Sequence, residues 1–126
     1  MRTEFVLRKV YEIWEKEGIV GPSRLAEVLN ISKSTAHRLL SSISSAGYGR
    51  YIERKGLILN RNGIEAAKKA IRKHRLIECL LHDIGVSDVC GEAERIETSA
   101  GRELLRTLEE KYGNRRLCPC GKEIPR

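Results

Sequence analysis

Long apolar runs are missing from this 126-residue sequence, and no stretch approaches the eighteen or more residues of a membrane-spanning helix. No membrane partner is therefore expected. Aromatic residues are scarce, at 5%, while charged residues make up 33%, a balance that points to a soluble, helix-rich protein. The N-terminus lacks the pattern of a secretory leader, because Glu4, Arg8 and Lys9 interrupt its apolar stretch, so a cytoplasmic location is expected. No nucleophile, base and orienting group stand together and no phosphate loop is present, which argues against an enzyme. The length excludes three domains and allows one or two compact units. In a reducing compartment the four cysteines are expected to be core thiols or metal ligands rather than disulfides. What the chain does have is positive charge, net +7 with a pI near 9.5, which favours polyanionic partners.

Val6, Val10, Ile13 and Trp14 recur at helical spacing between Thr3 and Lys16, and Gly18 follows as a stop. Pro22 and Ser23 open a short helix, Asn30-Ile31 breaks it, and Ser32 is placed to cap a third helix from about Lys33 to Ala46. The stretch "YGRYIERKGLIL" holds two short runs rich in Tyr, Ile and Leu around Arg54-Lys55-Gly56, the pattern of a β-hairpin with a basic tip. Two short helices, a tight turn and a hairpin compose a winged helix-turn-helix. Asn60 can then cap a long helix from about Arg61 to His82, whose inward stripe is Ile64, Ala67, Ile71, His74, Glu78 and Leu81. Further helices are expected over about Ser87 to Ser99 and Gly101 to Tyr112, followed by an irregular tail. The fold class is thus mainly α, with a DNA-binding winged helix-turn-helix over residues 1–60 and a helical domain over 61–126.

A helix-turn-helix sets the start of its second helix in the major groove, where side chains reach base edges. Ser32 to Arg38 occupy that stretch. Arg38 can read guanine bidentately, and His37, Ser34 and Thr35 can contact bases or phosphates, with Lys33 suited to phosphate. From Ser23 to Lys55 there are six Lys or Arg against two acids, Glu27 and Glu53, so positive charge sits where backbone contacts are needed, including Arg54 and Lys55 at the hairpin tip. The partner expected is a double-stranded DNA operator.

His74 and Glu78 are four apart on an otherwise apolar face, which suits either a satisfied core pair or two metal ligands. Cys90, Glu94 and Glu97 share one stripe of the next helix, again either further ligands or two solvated acids with a small buried thiol. The tail carries Cys118-Pro119-Cys120-Gly121, with a single residue between its thiols, too little for a zinc ribbon by itself. Cys79 and His82 are less well aligned and are taken as core or surface residues.

The blocks "LRKVYEIWEKEG", "HRLIECLL", "EAERIE" and "CPCGKEIP", in this order and spacing and together with the wing, resemble the diphtheria-toxin-repressor (DtxR/MntR) family over nearly the whole chain. The resemblance implies a homodimeric, metal-activated repressor in which Fe(II) or Mn(II) orders the dimer and sets the separation of its reading heads. It also implies a short member, without the third, SH3-like domain of longer ones. His74 and Glu78 match family ligands on the long helix, Glu94 and Glu97 match ligands on the following one, and Cys90 stands where several members place a histidine. Phe5 stands where some use methionine, Thr98 replaces a histidine, and the tail resembles a "CPHG" segment with Cys120 in place of histidine. Thiols at Cys90, Cys118 and Cys120 then compensate in a softer site, which shifts preference away from Mn(II) toward Fe(II), Zn(II) or Co(II); Fe(II) is the divalent transition metal favoured, with Zn(II), Co(II) or Mn(II) as the other candidates. The competing reading is a winged-helix regulator controlled by cysteine oxidation or a small ligand.

Overall fold

The computed structural model describes residues 3–126, which divide into two compact units on either side of the junction between Lys68 and Lys69. The division falls inside a long helix.

In the first unit, α1 (Thr3–Glu17) buries Val6, Leu7, Val10, Tyr11 and Ile13, the stripe its spacing predicts. α2 (Pro22–Leu29) begins on a proline, whose missing N–H costs nothing in a first turn, and closes on Asn30 in the left-handed conformation. α3 (Lys33–Ser45) starts at Ser32, whose hydroxyl accepts from the Thr35 N–H at 3.1 Å. It packs on α2 and on the antiparallel strands β1 (Gly49–Ile52) and β2 (Gly56–Leu59), which pair from Gly49 with Leu59 to Ile52 with Gly56. Val20 adds a bridge to Leu57 on the free side of β2. Gly56 has φ +136°, and a side chain there would run into the Val20 backbone, so this approach requires glycine. Asn60 then ties two elements together. Its side-chain oxygen accepts from the Gly63 N–H at 2.9 Å, capping α4 (Arg61–Asp83), and its amide donates to the Gly47 carbonyl at 2.8 Å.

The second unit holds the rest of α4, α5 (Val89–Ile96), α6 (Arg102–Tyr112) and the C-terminal tail. Leu76, Ile77, Cys79 and Leu81 of α4 pack with Val89 and Ala93 of α5, Leu108 and Tyr112 of α6, and Cys118 and Ile124 of the tail. Of the two residues taken as core or surface, Cys79 lies in the core and His82 is exposed. The helix expected over 87–99 is shorter: Asp88 caps α5 through the Gly91 N–H, and Glu97–Ser99 tighten into a single 3₁₀ turn. The tail is irregular, as expected, and is held in a defined turn. Leu117 bridges Glu123, the Cys118 N–H donates to the Lys122 carbonyl at 2.8 Å, and Gly121, with φ +83°, closes the turn that carries both thiols. Arg72 and Arg75 of α4 hold this tail through the carbonyls of Pro125 and Glu123.

Candidate DNA interface and metal centre

The start of α3 is organised by its own cap. Ser32 donates to the Thr35 hydroxyl at 2.8 Å, and Arg38 donates to the same oxygen at 3.4 Å, so the guanidinium is tethered yet exposed. Lys33, Ser34 and His37 of α3 face a groove of about 750 Å³ whose other wall includes Tyr51, Arg54 and Lys55 of the wing. Arg54 adopts φ 68° at the hairpin tip. Tyr51, which the sequence reading passed over as a strand aromatic, packs edge-on against His37 with ring centroids 4.9 Å apart, fixing the imidazole against the wing. Arg24 also borders the groove, but its charge is matched by Glu17 and Glu27, each at 3.0 Å. The cations left facing outward from this wall are therefore those of α3 and the wing tip.

In the second unit, α4 carries His74 and Glu78 one turn apart, and each is only 2% exposed. Two buried polar side chains on an apolar helix need partners. The Nδ1 of His74 lies 2.8 Å from Glu97, itself 2% exposed. A carboxylate only accepts, so Nδ1 carries the proton and Nε2 faces the other way. There it meets the Cys90 thiol at 3.5 Å and the Glu78 carboxylate at 3.6 Å. Cys120 donates to the same Glu78 oxygen at 3.5 Å. Two donor triplets result, His74–Glu78–Cys90 and Glu78–Cys118–Cys120, in each of which the ligand atoms lie within 4.8 Å of one another.

The structure thus brings together five of the seven residues singled out for metal binding. Glu97 sits on the far side of the His74 ring, where it orients the imidazole. The 3₁₀ turn that begins at Glu97 is what ends the regular α-helical stripe expected of Cys90, Glu94 and Glu97. Glu94 is half-buried and belongs to neither triplet. Burial pushes the Glu78 carboxyl upward, but His74, when both of its ring nitrogens are protonated, outweighs it by hydrogen bonding and charge, aided by the thiols of Cys118 and Cys120, and holds the group below the usual range. Burial, reinforced by the Glu78 charge, pushes the Cys120 thiol up to about 11. An ionised Glu78 carboxylate with three potential thiolate donors around it is a site short of positive charge.

Two family profiles match the chain: "Iron dependent repressor, N-terminal DNA binding domain" over residues 1–57 and "Iron dependent repressor, metal binding and dimerisation domain" over residues 60–126. The chain belongs to the iron-dependent repressor family. This is the diphtheria-toxin-repressor family that the sequence blocks resemble, a family of regulators rather than enzymes. The chain is 35% identical over 127 residues to the iron-dependent repressor IdeR of Mycobacterium tuberculosis, covering 98% of this chain and 55% of that protein. Its fold is similar to that of T. acidophilum IdeR (TM-score 0.84, 26% identity, 99% of this chain and 60% of that one). It is also similar to a manganese-dependent transcriptional repressor in complex with manganese (TM-score 0.86, 26% identity, 99% of this chain and 59% of that one). The chain therefore spans somewhat over half the length of these relatives. No helix among the described residues is long and apolar enough to cross a membrane.

Proposed function

We propose that the protein is a metal-dependent transcriptional repressor that binds a double-stranded DNA operator as a homodimer in the cytoplasm, with Fe(II) as its activating ion. Residues 1–60 read DNA through Ser32, Lys33, Ser34, Thr35, His37, Arg38, Arg54 and Lys55, and residues 61–126 carry dimerisation and metal sensing. The observation that carries this reading is the convergence of the His74 Nε2, the Glu78 carboxylate and the Cys90 thiol at 3.5–3.6 Å. That separation is close to the roughly 3.5 Å edge of a tetrahedron formed by one nitrogen or oxygen ligand and one thiolate. The donors fit a divalent ion of borderline softness, which would supply the positive charge the cluster lacks and tie α4 to α5 and the tail. Glu97 holds His74 by its Nδ1 and so turns Nε2 toward Glu78 and Cys90, and Cys118 and Cys120 bring the tail to Glu78. Thiols favour Fe(II), Zn(II) and Co(II) over Mn(II), and relatives named for iron support Fe(II) among these. Control by oxidation of Cys120 fits less well, because burial and the Glu78 charge push that thiol up to about 11, where it is almost wholly protonated at neutral pH and a poor nucleophile.

The test is anaerobic titration of Fe(II), Mn(II), Zn(II) and Co(II) into the metal-free protein, following operator binding and melting temperature together. Operator affinity and stability should rise with the same midpoint, strongest for Fe(II), because DNA and metal favour the same dimer. Operator binding that ignores every metal would remove the sensing role.

A further inference from the structure

His37 and Arg38 stand side by side on the exposed face of α3, and each is restrained by a different neighbour. Arg38 reaches back to the Thr35 hydroxyl within its own helix. His37 instead meets Tyr51 of β1, with the ring planes 79° apart and the centroids separated by 4.9 Å. That edge-to-face contact matters because the torsion that turns an imidazole is broad and roughly two-fold, so an exposed histidine left alone presents either ring edge to a ligand. The holder is itself fixed. Tyr51 pairs with Leu57 in the hairpin, Leu57 is fully buried, and its N–H and carbonyl bond to the Val20 backbone at 2.9 and 3.0 Å. Ala36 and Leu40, one residue before His37 and three after it, are likewise fully buried, so α3 cannot turn to carry the imidazole elsewhere.

We propose that Tyr51 is a positioning residue for base recognition: it sets which edge of the His37 imidazole meets a base in the major groove, so the wing shapes sequence discrimination by acting through α3. The proposal rests on the DNA-reading role given to α3 above and deepens it. A neutral imidazole carries one donor and one acceptor, so its two edges ask for opposite partners. Base edges in the major groove differ in their donor and acceptor patterns, whereas phosphate oxygens only accept and are alike at every step. A histidine with one edge set therefore discriminates between bases, and one that swivels tolerates both patterns. Ordering a side chain before binding is worth about a threefold to tenfold change in affinity. Lys33, Arg54 and Lys55 line the same groove and supply charge for phosphates whatever the sequence. Affinity and discrimination are thus divided between different side chains of one groove, with the wing contributing to both.

The experiment selects bound duplexes from a random-sequence DNA library with the full chain, loaded anaerobically with Fe(II), and compares the recovered motif among variants. Wild type should enrich a motif, and His37→Ala, at an exposed position, should erase the preference at one position of it. Tyr51→Leu, which keeps an apolar side chain in the strand but no aromatic ring, should lower discrimination at that same position about threefold to tenfold. Tyr51→Phe should behave as wild type. Adding Tyr51→Leu to His37→Ala should change nothing further there, and binding to unselected duplex should be equal for all variants. Proton NMR of the metal-free, DNA-free protein gives a readout that a merely structural role would not move. The imidazole C–H resonances that vanish in His37→Ala should be displaced by ring current in wild type and Tyr51→Phe and return to ordinary positions in Tyr51→Leu. An unaltered motif in Tyr51→Leu, an equal loss of affinity on every sequence, or an effect that persists in the His37→Ala background overturns the positioning role while leaving α3 a reading helix. A wild type that enriches no motif overturns the reading of DNA by α3, and this proposal with it.

Discussion

Replacing Arg72 by methionine keeps the buried stem and removes only the guanidinium that fastens the tail. Arg72 is 17% exposed and forks onto Glu109 at 2.6 and 2.8 Å, while donating to the Pro125 carbonyl at 3.0 Å and the Gly113 carbonyl at 3.2 Å. The ion pair counts for little, since Glu109 is 48% exposed and solvated pairs contribute roughly 0.2–1 kcal/mol. Bonds from a charged donor to a part-buried carbonyl are worth about 1.5–3 kcal/mol each. The Gly113 carbonyl also accepts from Arg126, so it keeps a partner, and the Pro125 carbonyl loses the bond Arg72 gives it. The expected loss is about 2–4 kcal/mol, or a fall in melting temperature of about 10 °C for a chain of this size. The consequence for the site is larger than for the fold. A loosened tail no longer presents Cys118 and Cys120 to Glu78, so Co(II) binding measured by thiolate absorption should weaken at least tenfold at the tail thiols. Binding at His74 and Cys90 should persist. Arg72→Lys should recover only part of both losses, because an ammonium cannot span the carboxylate and the carbonyls in one plane. A variant that melts with wild type and binds Co(II) unchanged would refute the idea that this clamp preorganises the thiols.

Three further outcomes follow from the same geometry. Arg38→Ala should weaken operator binding by about 1–3 kcal/mol in a gel-shift titration and leave binding to random DNA almost unchanged, whereas an equal loss on both would make Arg38 a phosphate contact. Ser32→Ala removes the acceptor of the Thr35 N–H and should cost about 1 kcal/mol in urea unfolding, with Ser32→Gly costing only a few tenths; equal costs would contradict the capping role. The hydrogen bond from Arg72, together with its charge, holds the Glu109 carboxyl below its ordinary value against the opposing pull of burial. Its contribution is present above the ordinary glutamate range and lost as pH falls through the lowered value, so the melting gap between wild type and Glu109→Gln should close on acidification. A gap that persists unchanged to pH 3 would show that the pair does not act through ionisation.

What sequence could show here depended on range. The helices of the first unit and the wing were legible because each is written locally, in the 3.6-residue spacing of Val6, Val10 and Ile13, the Ser32 cap and the alternation around Arg54-Lys55-Gly56. His74 and Glu78 were legible as a pair because four residues on one helix make neighbours. The arrangement around them was not. Glu94 and Glu97 fall on one stripe only if the helix runs on to Ser99, and the 3₁₀ turn at Glu97 breaks that stripe while delivering Glu97 to His74. The order of the tail was hidden for a different reason. The bonds that hold it to α4 run from Arg72 and Arg75 to carbonyls 53 and 48 residues away, and no local pattern in "NRRLCPCGKEIPR" signals them. Tyr51 escaped notice because a strand tyrosine reads as packing until its ring is found against His37.

The thiol-bearing turn has a consequence in time. In a chain made from its N-terminus, the helix-turn-helix and wing emerge first, the His74–Glu78–Cys90 donors next, and Cys118 and Cys120 later still. At ordinary synthesis rates the interval between Cys90 and Cys120 is roughly a few seconds. A nascent chain thus passes through a stage with a complete reading helix and one donor triplet but no second. Only when the thiol-bearing turn docks onto α4 does the second donor triplet assemble.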